Sequence, residues 1–224
     1  MSLEDHHKQL IQYFLHDGAY NEDELVDLIN ALRDRYDLKI KVKDELRIFN
    51  DVYLPLINRH INQYGIEIKQ VASEERENEI YYVCIQNFKA QFVKMDTSYT
   101  EKEAAVFEKL MELVIASEKK FVKAKKSLLI TYIFLFRLIT SDEVFHALEV
   151  NDLKMPRTHF NDTLTRFRRD KWIESGPENS NTIILHPRAI LEMQSYIKDI
   201  YQDDVYQCQI CKRLLIRGLV CENE

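Results

Sequence analysis

Glycine and proline are scarce: four of each in 224 residues. With so few glycines there is no glycine-rich phosphate loop, and no GxxxxGK[ST], GxSxG or HExxH string occurs. The sequence therefore points away from catalysis through a bound nucleotide or through a nucleophile of its own. Long apolar runs are missing as well. The longest imitation of a membrane span, LLITYIFLFRLI (128–139), is twelve residues long and contains Arg137. A bilayer core needs roughly 20 apolar residues, so this stretch reads as a buried core helix and no membrane partner is expected. Cysteine is limited to Cys84, Cys208, Cys211 and Cys221, three of them within fourteen residues, which is no scattered disulfide framework. The N-terminus MSLEDHHKQL lacks the basic and apolar regions of a secretory signal. Thiols that stay reduced and cluster in this way favour metal.

What the chain does have is hydrophobic content, 46%, and charge, 30%. Together with little Gly and Pro, this describes long helices joined by short turns around a real core. The formal net charge of −6 is unevenly spread. Residues 1–118 hold 14 Lys and Arg against 23 Asp and Glu, whereas 119–171 hold 12 against 6, and 172–224 hold 5 against 8. Any contact with a polyanion belongs to the middle segment.

The first ninety residues read as three helices and a hairpin. Leu10, Ile11, Phe14 and Leu15 form a stripe ended by Asp17-Gly18. Asn21 with Glu24 resembles a capping box opening a helix whose inner face is Leu25, Leu28, Ile29 and Leu32. A third stripe runs from Leu46 to Tyr64 and contains Pro55, which predicts a kink or break. The apolar period then changes from about 3.6 to 2 in GIEIKQVA (65–72) and EIYYVCIQNF (79–88). The same order returns. Thr100 and Glu103 make a capping box ahead of Phe107, Leu110, Met111, Val114 and Ile115. DEVFHALEV (142–150) supplies helix, and Pro156 suits the first turn of a helix with Phe160, Leu164 and Phe167 inward. KWIES and TIILH flank a GPENSN turn, and Ile190, Met193, Ile197 and Ile200 line a last amphipathic helix. The expected fold is mainly α with small β-hairpins: tandem winged-helix domains at 1–92 and 93–203, then the start of a small third module at 204–224, which the resemblance given below implies is the N-terminal part of a RING-like zinc module.

Candidate contacts follow from this frame. The first hairpin loop, SEEREN, is acidic and would be repelled by a phosphate backbone, so the first domain reads as a protein-contact domain. In the second, RFRRDKW places Arg166, Arg168, Arg169 and Lys171 at the end of its third helix, and KKFVKAKK adds Lys119, Lys120, Lys123, Lys125 and Lys126. These nine cations are candidate DNA phosphate contacts, or else a solvated face with cations placed well at a helix C-terminus. Trp172 has core as its default role, and the seven histidines read as ordinary core or surface residues rather than ligands. Cys208 and Cys211 form a C-x-x-C knuckle, and Cys221 could supply a third sulfur across a hairpin; the alternative is reduced surface thiols.

DKWIES, LHPRAILEMQSYI (185–197) and CQICKRLLIRGLVCE (208–222) strongly resemble non-SMC element one, the RING-like subunit of the SMC-five/six chromosome-maintenance complex. The resemblance is specific across 165–222 and architectural before that. It implies a nuclear, chromatin-associated protein of DNA repair and recombination. Such a protein pairs through winged helices with MAGE-type non-SMC element three, and joins kleisin-type non-SMC element four and the SMC-five/six heterodimer. Double-stranded DNA is bound as part of that subcomplex. The complete module is implied to act as a RING-type E3 ubiquitin ligase component with an E2 partner, holding zinc and contributing no nucleophile. By position, Cys208, Cys211 and Cys221 match the first three zinc ligands, while Glu224 stands where the family has its fourth cysteine, and the remaining ligands are absent. The expectation is a chain cut within its zinc module, binding zinc weakly or not at all and inactive as a ligase. The alternative is a winged-helix DNA-binding regulator using the basic second domain.

Overall fold

The computed structural model describes residues 2–41, 43–74, 76, 79–86, 99–116, 121–124, 139–150, 153–176, 181–202, 204–208, 213–216 and 218–221. These form two compact units, Met1–Lys89 and Ala90–Glu224. The fold is mainly helical with small sheets.

The first unit runs α1 (Asp5–Asp17), β1 (Ala19–Asn21), α2 (Glu22–Tyr36), α3 (Glu45–Ile48), α4 (Leu54–Ile61), β2 (Ile66–Ala72) and β3 (Ile80–Gln86). Gly18, at φ 79°, ends α1, its N–H donating to the Phe14 carbonyl. Asn21 and Glu24 form the expected reciprocal box: the Asn21 side chain accepts from the Glu24 N–H at 2.8 Å, and Glu24 accepts from the Asn21 N–H at 3.0 Å. Pro55 does disturb its helix. A π-helical turn, Phe49–Tyr53, joins α3 to α4, and the Leu54 N–H reaches back to the Phe49 carbonyl. The wider turn lies immediately ahead of the proline, whose ring crowds a regular helix. The apolar stripes meet in one core: Leu10 and Phe14 of α1, Leu25 and Ile29 of α2, Phe49, Ile57 of α4, and Ile68 and Tyr82 of the sheet. Leu15, expected inside, is about half exposed at the outer edge of its stripe.

The second unit contains α5 (Glu101–Ala116), β4 (Phe121–Ala124), β5 (Ile139–Thr140), α6 (Ser141–Val150) and α7 (Arg157–Arg169). It continues with β6 (Ile173–Ser175), β7 (Thr182–Leu185), α8 (Pro187–Glu192), α9 (Gln194–Ile200), β8 (Tyr206–Gln207), β9 (Leu214–Leu215) and β10 (Gly218–Cys221). Thr100–Glu103 is a capping box, and Thr140–Glu143 repeats it at α6. Val106, Phe107, Leu110 and Met111 of α5 bury against Phe160, Leu164 and Phe167 of α7, Trp172, and Ile183 of β7. Phe107 meets Phe167 and Trp172 edge to face, with ring centroids 5.4 and 5.6 Å apart.

Three details depart from the sequence reading. Ile139, assigned to a core helix, lies in β5; the rest of that assignment, 128–138, lies outside the described residues. Pro156 is the N-cap residue of α7, one position earlier than expected. The last amphipathic helix is two helices that part at Met193, and Ile200 is exposed.

The two units share a topology. Apart from β4, each runs helix, strand, helices, then two antiparallel strands, and the sheet orders correspond: β1-β3-β2 and β5-β7-β6. After α9, Leu214 and Ile216 enter the second core and Val205 packs against it. There β10 pairs with β4 in parallel, Gly218 opposite Phe121 and Cys221 opposite Ala124. Nothing in the sequence pattern pointed to that pairing.

Candidate functional site

The basic end of α7 is not a uniform cationic face. Arg166 lies 3.1 Å from the buried carboxylate of Glu103 and over the Tyr99 ring, 4.3 Å from its centroid. Arg169 pairs with Asp170 at 2.9 Å. The Tyr99 hydroxyl donates to Asp170, so the entry to α5 is tied to the exit of α7. Burial pushes the Glu103 carboxyl up, yet hydrogen bonds from Thr100 and the Arg166 charge outweigh it, holding it below the usual range. Asp170 follows the same pattern, burial opposed by hydrogen bonds from Arg169 and Tyr99, with a net fall. Two of the expected phosphate-contacting arginines are thus engaged by carboxylates within the unit, which weighs against a base-reading helix.

Arg168 differs. Among the described residues it has no carboxylate partner, and its Nε is buried without a hydrogen bond. Burial lowers its pKa. Lys171 turns the chain at φ 57°, its N–H donating to the Arg168 carbonyl at 3.1 Å. Of the lysine run, Lys123 lies in β4 opposite Val220, while Lys119, Lys120, Lys125 and Lys126 lie outside the described residues.

The motifs DKW and LHPR meet in space. The Arg188 guanidinium sits over the Trp172 ring, 4.9 Å from its centroid. It donates from Nη1 to the Asp170 carbonyl at 2.8 Å and from Nε to Glu192 at 2.9 Å. His186 caps α8, its Nδ1 accepting from the Arg188 N–H at 3.1 Å. These residues build a rigid corner where β7 turns into α8, which is a structural task. Sequence reasoning gave Trp172 its core role but missed Arg188; a cation two residues after a helix-capping His was the available signal.

In the cysteine segment β8 pairs with β9 antiparallel, and the Cys208 N–H donates to the Arg213 carbonyl at 2.8 Å, while residues 209–212 lie outside the described residues. Cys208 is half-buried, Cys211 lies outside the described residues, and Cys221 ends β10. Among the described residues, no group of three His, Cys, Asp or Glu side chains gathers for a metal. Likewise, no helix among them is long and apolar enough to cross a membrane.

His6 and His7 are buried, with rings 3.9 Å apart against Tyr53. Burial pushes His7 down to about 4, helped by His6 and His60 and opposed by Glu4. Its Nδ1 accepts from the Glu4 N–H, and its Nε2 has no hydrogen-bond partner among the described residues.

Comparison with known proteins bears on these observations. Residues 7–193 match the family described as Nse1 non-SMC component of SMC5-6 complex. A Mus musculus protein, Non-structural maintenance of chromosomes element 1 homolog, is 30% identical over 223 residues, covering 99% of this chain and 74% of the relative. The Xenopus laevis homolog is 30% identical over 173 residues; that match spans 77% of this chain and only 57% of the relative. Among solved structures, a chain of an "Nse1-Nse3-Nse4 complex" superposes with a TM-score of 0.72 at 21% identity, covering 100% of this chain and 86% of that one.

Proposed function

Because the chain belongs to the family of the Nse1 non-SMC component of SMC5-6 complex, we propose that it is an assembly subunit of such a complex, acting in chromosome maintenance and DNA repair. The observation that carries this reading is the family match over residues 7–193, which spans both helix-and-hairpin repeats. Each repeat is read as a winged helix, supported by its helix–strand–helix–helix–strand–strand order, with α3, the π-turn and α4 as one interrupted helix in the first. The acidic first unit and the engaged arginines of the second favour protein contact. The partners are a MAGE-type element three and a kleisin-type element four, supported by the likeness to a chain solved within an Nse1-Nse3-Nse4 complex. Contact with the SMC-five/six heterodimer and with double-stranded DNA then comes through that subcomplex, in the nucleus.

The β8–β9 pair at Cys208 is the start of a zinc-holding, RING-like module. With Cys211 and Cys221, Cys208 would hold the first ion once a fourth ligand completes the set. Zinc there supplies structure: it fixes the loops that present an E2 whose thioester a substrate lysine attacks. In that arrangement Cys208, Cys211 and Cys221 would hold the metal and would form no bond to ubiquitin.

The test is co-expression with a MAGE-type winged-helix partner. A stable heterodimer through size exclusion at about 0.3 M salt is expected, since apolar interfaces resist screening. A chain that elutes alone under those conditions removes the proposal's support.

A further inference from the structure

Beside α7 lies a cavity of about 400 Å³, unrelated to any contact used above. Its polar lining is Arg168, Ser141, Asn161, Thr165, Ser175 and Asn181, and none of the described lining residues is acidic. At roughly 30 Å³ per water, it has room for about a dozen waters, and so for a phosphorylated side chain with some of its solvent.

Its chemistry is one-sided. Arg168 is the guanidinium of the α7 cluster that no described carboxylate engages. A partly desolvated cation without a counter-charge is unfavourable, and an anion entering the cavity relieves it. Donors stand beside it: the Ser141 hydroxyl and the Asn161 side-chain amide make no hydrogen bond among the described residues. The Thr165 hydroxyl, by contrast, already donates to the Asn161 carbonyl at 2.9 Å. Guanidinium plus neutral N–H and O–H donors is the recognition set of a phosphoryl group.

We propose that this cavity docks one phosphate group, carried on a phosphorylated serine or threonine side chain of a partner protein. The number of available cations favours that source over a nucleic-acid backbone. Duplex DNA affinity is built from many neutralised phosphates. Here Arg166 is held by Glu103 and Arg169 by Asp170, leaving one guanidinium in a concave, otherwise neutral site. A single dianion matches it, and a row of monoanions does not. The site stands apart from the assembly role and holds whether or not a MAGE-type partner binds.

The test follows the Arg168 Nε–Hε resonance of the whole 224-residue chain by NMR during titration with inorganic phosphate, N-acetyl-O-phosphoserine amide, its unphosphorylated counterpart and a short DNA duplex. Saturable shifts of Arg168 are expected with phosphate and with the phosphoserine compound, and none with the unphosphorylated one. Arg168→Gln should weaken phosphoserine binding about tenfold or more, with Arg168→Lys intermediate. The wild-type titration needs no variant, so a poorly folded substitution does not blunt the test. Three outcomes overturn the proposal: no Arg168 response at about 50 mM phosphate, roughly 500 times the dissociation constant of a site with Kd about 0.1 mM; a response to inorganic phosphate but not to phosphoserine; or a response to duplex DNA alone.

Discussion

The side chain of Asn58 closes a two-point hydrogen-bonded ring with the backbone of Ile68. Its Nδ2 donates to the Ile68 carbonyl at 2.9 Å, and its Oδ1 accepts from the Ile68 N–H at 2.8 Å. β2 is the outer strand of its sheet, so the asparagine satisfies main-chain groups that would otherwise invite another strand.

Asn58→Ala is expected to destabilise the first unit by about 1–3 kcal/mol, the cost of leaving two partly buried backbone groups without partners. Asn58→Asp keeps the acceptor and loses the donor, so it should fall between. Urea unfolding followed by far-ultraviolet dichroism reads the change; equal midpoints for wild type and the alanine variant would contradict it.

His7 gives the first unit a pH dependence with a definite sign. Its folded pKa, about 4, lies below the ordinary 6.5, so the unfolded chain binds more protons between those values. The stabilisation is complete above pH 6.5 and is lost as pH falls toward 4, by roughly 3 kcal/mol in all. Protonation would also end the acceptance by Nδ1 of the Glu4 N–H. Facing His7 are His6, His60, Glu4 and Tyr53, of which the first two oppose its protonation and Glu4 favours it. His7→Gln should flatten the profile of stability from about pH 7 to about pH 4.5; an unchanged profile would assign the dependence elsewhere.

Glu103 and Arg166 act in the second unit at lower pH. Glu103 and Asp170 both titrate below their ordinary 4.5 and 3.8, so their contribution is present above those values and lost as pH falls further. Glu103→Gln should cost about 2 kcal/mol, less than a fully buried pair because the Arg166 side chain is about a third exposed. The single tryptophan, Trp172, lies in this unit, and its fluorescence reports the transition. If Arg166→Met and Glu103→Gln prove additive in a double-mutant cycle, the two side chains are not coupled.

Zinc per chain distinguishes a knuckle from surface thiols. Residues 1–224 are expected to bind zinc weakly or not at all, and a chain extended past Glu224 to carry the remaining ligands should hold two ions. Cys208→Ser in the extended chain should remove one. Two ions retained in that variant would exclude Cys208 as a ligand.

Much of the fold was legible because it is written locally. The Asn21–Glu24 and Thr100–Glu103 boxes sit three residues apart, and the stripes Phe107 to Ile115 and Phe160 to Phe167 follow one helical face. The change of period at Ile66 announced the hairpin, and Trp172 was found in the core. What escaped depends on residues far apart in the chain. Arg166 was read as a candidate phosphate contact because Glu103, 63 residues away, could not be placed beside it. His6 and His7 carry no pattern that says whether they lie in the core or on the surface, yet Tyr53 of the π-turn packs against both and Tyr36 of α2 against His6. The Arg168 cavity brings RFRRDKW to Ser141 and to the two ends of the GPENSN turn, a meeting that no local pattern specifies.

The pairing of β4 with β10 sets a schedule for synthesis. Phe121 leaves the ribosome about a hundred residues before Gly218, and at roughly 5–20 residues per second its strand waits about 5–20 s for its partner. A waiting strand edge is an aggregation hazard, and lysine is a common guard against it. Lys123 lies within the strand, and Lys119, Lys120, Lys125 and Lys126 flank it in the sequence, which puts five positive charges on a segment that waits about a hundred residues for its partner. A lysine-rich segment of this kind is suited to staying unpaired until β10 arrives.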